Sequence, residues 1–266
     1  MGRVCSSPAR SKTSPVHLSR KPCIYCFGVV EAVMLNIRSN KDRGHANHGW
    51  LDTYYSFSFA DYFDPEQMGF RALRVINEDR IAPDKGFGTH GHRDMEILTY
   101  MLGGTLEHRD SIGSGGLLRP GEVQFMSAGS GVRHSEFNPS AEETAYLLQI
   151  WLLPNQQGLD PLYGQKAFPI AEQTNRLHWI ATRDGRAGSF LIRSDAEVAA
   201  ARLEPGASLT VPLTLGHGWL QMVRGALTVN GASVTAGDGV ALTAEPKITL
   251  QADAKAGAEL LLFDLA

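Results

Sequence analysis

Apolar residues along this chain come in short bursts of branched and aromatic side chains, each ended by a Gly, Pro, Asp or Ser cluster. "RALRVINEDRI" (71–81), "MEILTYML" (95–102), "EVQFMSAG" (122–129) and "TAYLLQIWLLP" (144–154) are of this kind. Such residues pack well on a pleated surface, so each burst predicts a strand. "SIGSGG" (111–116) carries the turn chemistry of a hairpin loop. Closely spaced turns between short strands predict an all-β sandwich or barrel. "PNQQGLDPLYGQKAF" (154–168) is less regular and is expected to link two halves.

After residue 185 the same rhythm returns in "GASLTVPLTLGHGWLQMVRGALTVNGASVTAGDGVALT". Setting Gly103 on Gly225 brings "MLGGTLEH" against "MVRGALTV", one position out of step with strict identity, and further on "RPGEVQFMSA" falls against "TAGDGVALTA", Gly121 upon Gly237. The faint repeat supports a tandem β fold. The expected division is a leader over 1–33, a first β domain over 34–153, a linker and packing segment over 154–184, and a second β domain over 185–266.

Composition narrows the function. The 266 residues carry a net charge of −3, with 43% apolar and 20% charged residues, an ordinary globular balance. No strongly basic stretch offers the electrostatic footprint of a direct nucleic-acid binder. No apolar run approaches the roughly 20 residues that span a bilayer. Cys5, Cys23 and Cys26 all precede residue 27, so the body has no disulfide framework, which favours a reducing, cytoplasmic setting. Cys23-Ile-Tyr-Cys26 is a lone CxxC, read as incidental. The leader, rich in Ser, Pro, Arg and Lys, lacks a cleavage signature and is expected to be a disordered tail or an over-called start preceding Met34. A monomer is expected.

Candidate chemistry lies in "GTHGHRDMEILTYMLGG" (88–104). Alternate residues of a strand share a face, about 7 Å apart, so His90 and His92 point together. Asp94 and Glu96 continue that face if the strand runs so far. "GSGVRHSEFN" (129–138) repeats the spacing with His134 and Glu136. Two strands, each with a same-face pair of donors, suit one divalent ion at about 2.0–2.2 Å from its ligands. Three imidazoles and a carboxylate suit Fe, Mn, Co, Ni, Cu or Zn, and spacing does not choose between Glu96 and Glu136. His108 reads as a satisfied rim histidine, or else an orienter of a ligand. His45 and His48 are expected to pack near Trp50, and His178 and His217 to be structural or exposed. The alternating aromatics of "YYSFSFADYF" (54–63) suggest core or barrel rim.

His90-x-His92-x-x-x-Glu96, followed by Gly103, resembles the first cupin motif, and "GVRHSEFN" (131–138) resembles the second. The usual leading Gly is missing at Asp84, with Gly86 and Gly88 nearby, and Gly129 stands where the second motif has Pro. More narrowly, "RGHANHGWLDTYYSFSFADYFDPEQMGFRALRVINEDRI", "GFGTHGHRDMEILTYMLGGTLEHRDS" and "MSAGSGVRHSEFNPS" are similar to the pirin family. The resemblance covers about residues 36–266 and implies an all-β bicupin, two jelly-roll-like β-barrels face to face, with metal only in the first. It implies His90, His92, His134 and Glu136 as metal ligands, leaving Glu96 a neighbour. The alignment puts Pro212, Thr214, Gly218 and Leu250 at the positions of His90, His92, Glu96 and His134, so the second barrel has no ligands to offer. The resemblance further implies a quercetin 2,3-dioxygenase using Fe(II), with Ni, Co, Mn, Cu or Zn as alternatives. A phenolic or enol substrate and O2 would be its partners, and Glu136 both ligand and base. Its other implication is an iron-based redox sensor acting on transcription through a protein partner, without turnover. A barrel that binds a small molecule without transforming it is a third.

Overall fold

The computed structural model describes residues 34–266. The expectations for the leader, including Cys5, Cys23 and Cys26, lie outside the described residues. The first half contributes β1 (Met34–Arg38), β2 (Gly44–Asn47), β3 (Leu51–Tyr55), β4 (Leu73–Ile81), β5 (Gly86–His92) and β6 (Glu96–Gly103). It continues with β7 (Leu106–Asp110), β8 (Gly115–Leu118), β9 (Glu122–Ser127), β10 (Val132–Phe137), β11 (Ala145–Leu152) and β12 (Leu162–Ala167). The second half holds β13 (His178–Thr182), β14 (Phe190–Leu191), β15 (Ala196–Leu203), β16 (Ser208–Pro212) and β17 (His217–Val229). It ends with β18 (Ala232–Thr235), β19 (Gly239–Thr243), β20 (Lys247–Ala252) and β21 (Ala258–Leu265). The helical elements among the described residues are short 3-10 turns, Asn40–Asp42 and Arg186–Gly188.

In the first half a seven-stranded sheet, ordered β12-β9-β6-β11-β4-β3-β2, faces a four-stranded sheet, β5-β10-β7-β8. The ladders do not close into barrels, so the arrangement is jelly-roll-like. Alternation explains the layering. On β11, Leu148 and Ile150 join a core shared with Val198, Trp219, Leu261 and Phe263 of the second half, while Leu147 packs inward with Leu51, Ile81, Met101 and Leu106. β11, in the middle of the large sheet, thus carries apolar residues on both faces, as burial on both sides demands.

Two segments depart from expectation. The stretch 154–168 is not irregular throughout, because β12 pairs with β9 along its whole length, Leu162 opposite Ser127 and Ala167 opposite Glu122. Its mixed polarity reflects an edge strand with one wet side. At the other end of the chain's described part, β1 pairs with β19 in the second half's sheet, Ile37 opposite Val240.

The tandem repeat is real but its register differs from the alignment. β20 pairs with β16 as β10 pairs with β5. Leu250 sits opposite Leu209, three residues before the Pro212 aligned with His90. Turns of unequal length between strands defeat a fixed offset. Leu209, Val211, Ile248 and Leu250 belong to or pack on an apolar cluster, so the second half presents hydrocarbon where the first presents imidazole.

Candidate metal centre

β5 and β10 run antiparallel with His92 opposite Val132 and His90 opposite His134. The i, i+2 spacing turns His90 and His92 into the space between the sheets, where the His134 ring meets both. Ring centroids lie 4.8 Å apart for His90–His92, 4.4 Å for His90–His134 and 4.8 Å for His92–His134. One ligand-type nitrogen from each of the three falls within 4.8 Å of the others. The Nε2 atoms of His90 and His134 are 3.0 Å apart. Burial, and then the neighbouring His90, pushes His92 down to about 4. Burial and the other three histidines push His134 down to about 2. At neutral pH both rings are therefore uncharged, the state in which imidazole binds a metal.

Glu136 lies two residues on, but the ladder slips between His134 and Glu136, placing Glu136 opposite Phe87. Its carboxylate is 3% exposed and forms a second group of close donors with His134 and His108. It accepts from Gln149 Nε2 at 2.9 and 3.1 Å and from Thr99 Oγ1 at 3.3 Å. Burial raises it to about 7, against the lowering effect of those two hydrogen bonds.

Glu96 does not share the face of His90 and His92. β5 stops at His92, and Asp94 takes a left-handed φ of 48°, so the parity counted from His90 is broken at the turn. Asp94 instead accepts from the Gly158 amide at 2.7 Å. Glu96, at 1% exposure, accepts from Ser127 Oγ at 2.5 Å and from the Arg193 amide at 3.1 Å. Its carboxylate ties the β5–β6 turn to the second half.

His108 is no rim residue. It is fully buried, its ring stacks on Tyr163 at 4.9 Å, and its Nδ1 is 3.4 Å from His134 Nδ1. Nothing in "LEHRDS" announces this, because one histidine at a strand's end has no periodic partner. The other histidines stay outside the cluster. His45 stacks on Tyr54 at 4.3 Å and bonds Asp52, rather than packing on Trp50, whose ring meets Phe87. His178 donates to the Gln173 carbonyl, and His217 contacts Arg71 and the edge of Phe70.

One rung of polar residues also escaped the sequence reading. Asn77, Gln149, Thr99 and Gln124 lie side by side across β4, β11, β6 and β9, all buried on the face toward the histidines. Burying amides is costly without partners, so lone polar residues within strands as apolar as "TAYLLQIWLLP" are the signal that could have found them. Above His92 the wall is aromatic: Trp151 meets its edge at 4.9 Å, and Phe59 meets Trp151 at 5.3 Å.

This geometry agrees with comparisons to known proteins. The Pirin sequence profile matches residues 36–152, and that of a quercetinase C-terminal cupin domain matches residues 179–265. The chain is 47% identical over 233 residues, 87% of its length, to Escherichia coli K12 quercetin 2,3-dioxygenase, covering 99% of that protein. The chain belongs to the pirin family. Another relative is a pirin-like protein of Caulobacter vibrioides, 42% identical over 84% of this chain and 96% of its own. Among solved structures, the Escherichia coli bacterial pirin YhhW in complex with nickel(II) superposes with a TM-score of 0.83 at 45% identity, covering 87% of this chain and 99% of that one. The two profiles together establish a bicupin.

Proposed function

We propose that this pirin is a metal-dependent dioxygenase that opens flavonols such as quercetin, with His90, His92, His134 and Glu136 holding one divalent ion, Fe(II) by preference. The observation that carries the reading is the convergence of three uncharged imidazoles beside a buried carboxyl. The imidazoles fit the group, with Glu136 standing beside His134 in a second trio with His108: an ion about 2.1 Å from each imidazole nitrogen, with its bonds at right angles, needs neighbouring nitrogens about 3.0 Å apart. His90 and His134 have that spacing. Nitrogen and carboxylate donors without thiolate match non-haem Fe(II), and Ni(II) equally. The nickel complex of YhhW and the quercetin 2,3-dioxygenase name of the relatives support both metal and reaction.

When bound, the ion would supply Lewis acidity to an enol oxygen and a one-electron route to O2. The protein's part is proton transfer and exclusion of water. Glu136 is raised to about 7 by burial in the metal-free protein, an effect that a bound cation would oppose, and it would take the 3-hydroxyl proton of a flavonol. Gln149 and Thr99 hold the carboxylate in place for that step. Trp151 and Phe59 make an apolar wall against which an aromatic substrate packs. The net reaction consumes one O2 per flavonol and yields the ring-opened ester with carbon monoxide. A body without cysteine supports a reducing, cytoplasmic site of action.

Oxygen uptake on quercetin under air, by protein whose metal content has been measured, tests the reading. Wild type is expected to consume O2 and flavonol one for one. Glu136→Ala at saturating metal is expected to lose turnover by roughly 100-fold or more. Fully loaded wild type that leaves quercetin intact, or an unimpaired Glu136→Ala, contradicts it.

A further inference from the structure

We propose that Asp110 and His108 form a hydrogen-bonded chain that fixes the His134 ring with its Nε2 bare and aimed at the cation. Both are positioning residues for metal capture. The inference rests on the metal reading above and goes beyond it.

Asp110 accepts at Oδ1 from the amides of Ile112 at 3.0 Å and Ser114 at 2.8 Å, so the 111–114 hairpin clamps its carboxylate. Its other oxygen, Oδ2, lies 3.1 Å from His108 Nε2, and both side chains are completely buried. A carboxylate only accepts, so His108 Nε2 carries the proton. A neutral imidazole has one N–H, which leaves His108 Nδ1 an acceptor. Gln124 presents its amide Nε2 to that nitrogen at 3.0 Å, in agreement. His134 Nδ1 lies 3.4 Å from the same nitrogen, whose single lone pair it shares with Gln124, and only a proton on His134 can point into it. His134 Nε2 is left with its lone pair exposed.

His90 reaches the same state by a shorter route. Its Nδ1 is 2.8 Å from the Gly88 carbonyl, an obligate acceptor, so Nε2 is bare. Two lone pairs thus face each other across 3.0 Å, an arrangement that repels unless a cation lies between them. An acceptor behind a histidine ligand orients the ring and raises its basicity. Here the carboxylate acts at one remove, through a second imidazole stacked on Tyr163. This gives the hairpin and β12 a share in metal capture, although neither supplies a ligand.

The test measures the Co(II) dissociation constant by chelator competition, and the visible Co(II) spectrum, on wild type, His108→Leu, His108→Gln and Asp110→Asn. Leucine removes both hydrogen bonds. Glutamine keeps an acceptor for His134 and a donor for Asp110, and is the rescuing variant. The expected result is Co(II) binding weakened 10–100-fold in His108→Leu with an altered spectrum, most of the loss recovered in His108→Gln, and a smaller loss in Asp110→Asn. Should the leucine variant fail to fold, the other two decide: wild-type spectrum and near wild-type affinity for glutamine with weakened binding for asparagine support the chain. Equal affinity in all variants overturns it while leaving the metal site standing, as does a glutamine variant no better than leucine. Wild type that takes up no Co(II) overturns the metal reading and this inference together.

Discussion

Burial pushes two carboxyls of the first half, Asp79 and Glu136, up to about 7, and each is nearly without contact with water. Asp79 lies two residues along β4 from Asn77 of the polar rung, opposite Leu147 and Thr53, with Glu136 and Glu78 as further raising influences. Its ordinary value is 3.8. Between about pH 4 and pH 7 the unfolded chain gives up a proton that the folded protein retains. The stability present below that window is therefore lost as pH rises through it, by up to on the order of 4 kcal/mol. Asp79→Asn, which has no proton to lose, is expected to gain stability over wild type at pH 8 and little at pH 4, in urea unfolding of metal-free protein. A pH-independent difference between the two would contradict this. At this scale period-two spacing, a local property, offered His90, His92 and His134 with either Glu96 or Glu136 as candidate donors, and the family resemblance chose Glu136. Gln124 and Gln149 were not singled out, and His108 was left between two roles, since their importance comes from pairing between strands distant in the chain.

The turns between elements decide what parity cannot. The β5–β6 turn reverses at Asp94, and Glu96 is committed to Ser127 and the Arg193 amide. Glu96→Ala would leave those two donors unpaired and is expected to cost about 1–3 kcal/mol in denaturant unfolding while leaving metal content at the wild-type level. Loss of the metal from a folded Glu96→Ala protein would instead make Glu96 a ligand. The loop before β10 is held from the same side. Gly129 adopts φ 45°, and a Cβ there would meet the Leu159 carbonyl at 2.0 Å, while Ser130 N–H donates to that carbonyl. Segment 154–160 thus touches both loops that position the histidines, through Gly158 and Leu159. Strand bursts in the sequence located β4, β6, β9 and β11 to within a residue or two. β12 was hidden because an edge strand with polar sides lacks the alternation of a half-buried one.

On the scale of the whole molecule, two similar jelly-roll-like halves share an apolar core, and only the first turns donors inward. The second fills the corresponding space with Leu209, Val211, Ile248 and Leu250, a packing that stabilises the fold. That asymmetry could be read from the lack of a paired-histidine motif in the second half, whereas the exchange of β1 into the second sheet could not, because strand pairing across the chain leaves no local mark. Crystallography of protein purified without added metal, with diffraction measured at the iron and nickel absorption edges, tests the central claim most directly. The account predicts one ion in the first half, bound by Nε2 of His90 and His134, by His92 and by Glu136. An ion held elsewhere, or imidazoles turned apart with no ion after Fe(II) is supplied, would contradict it.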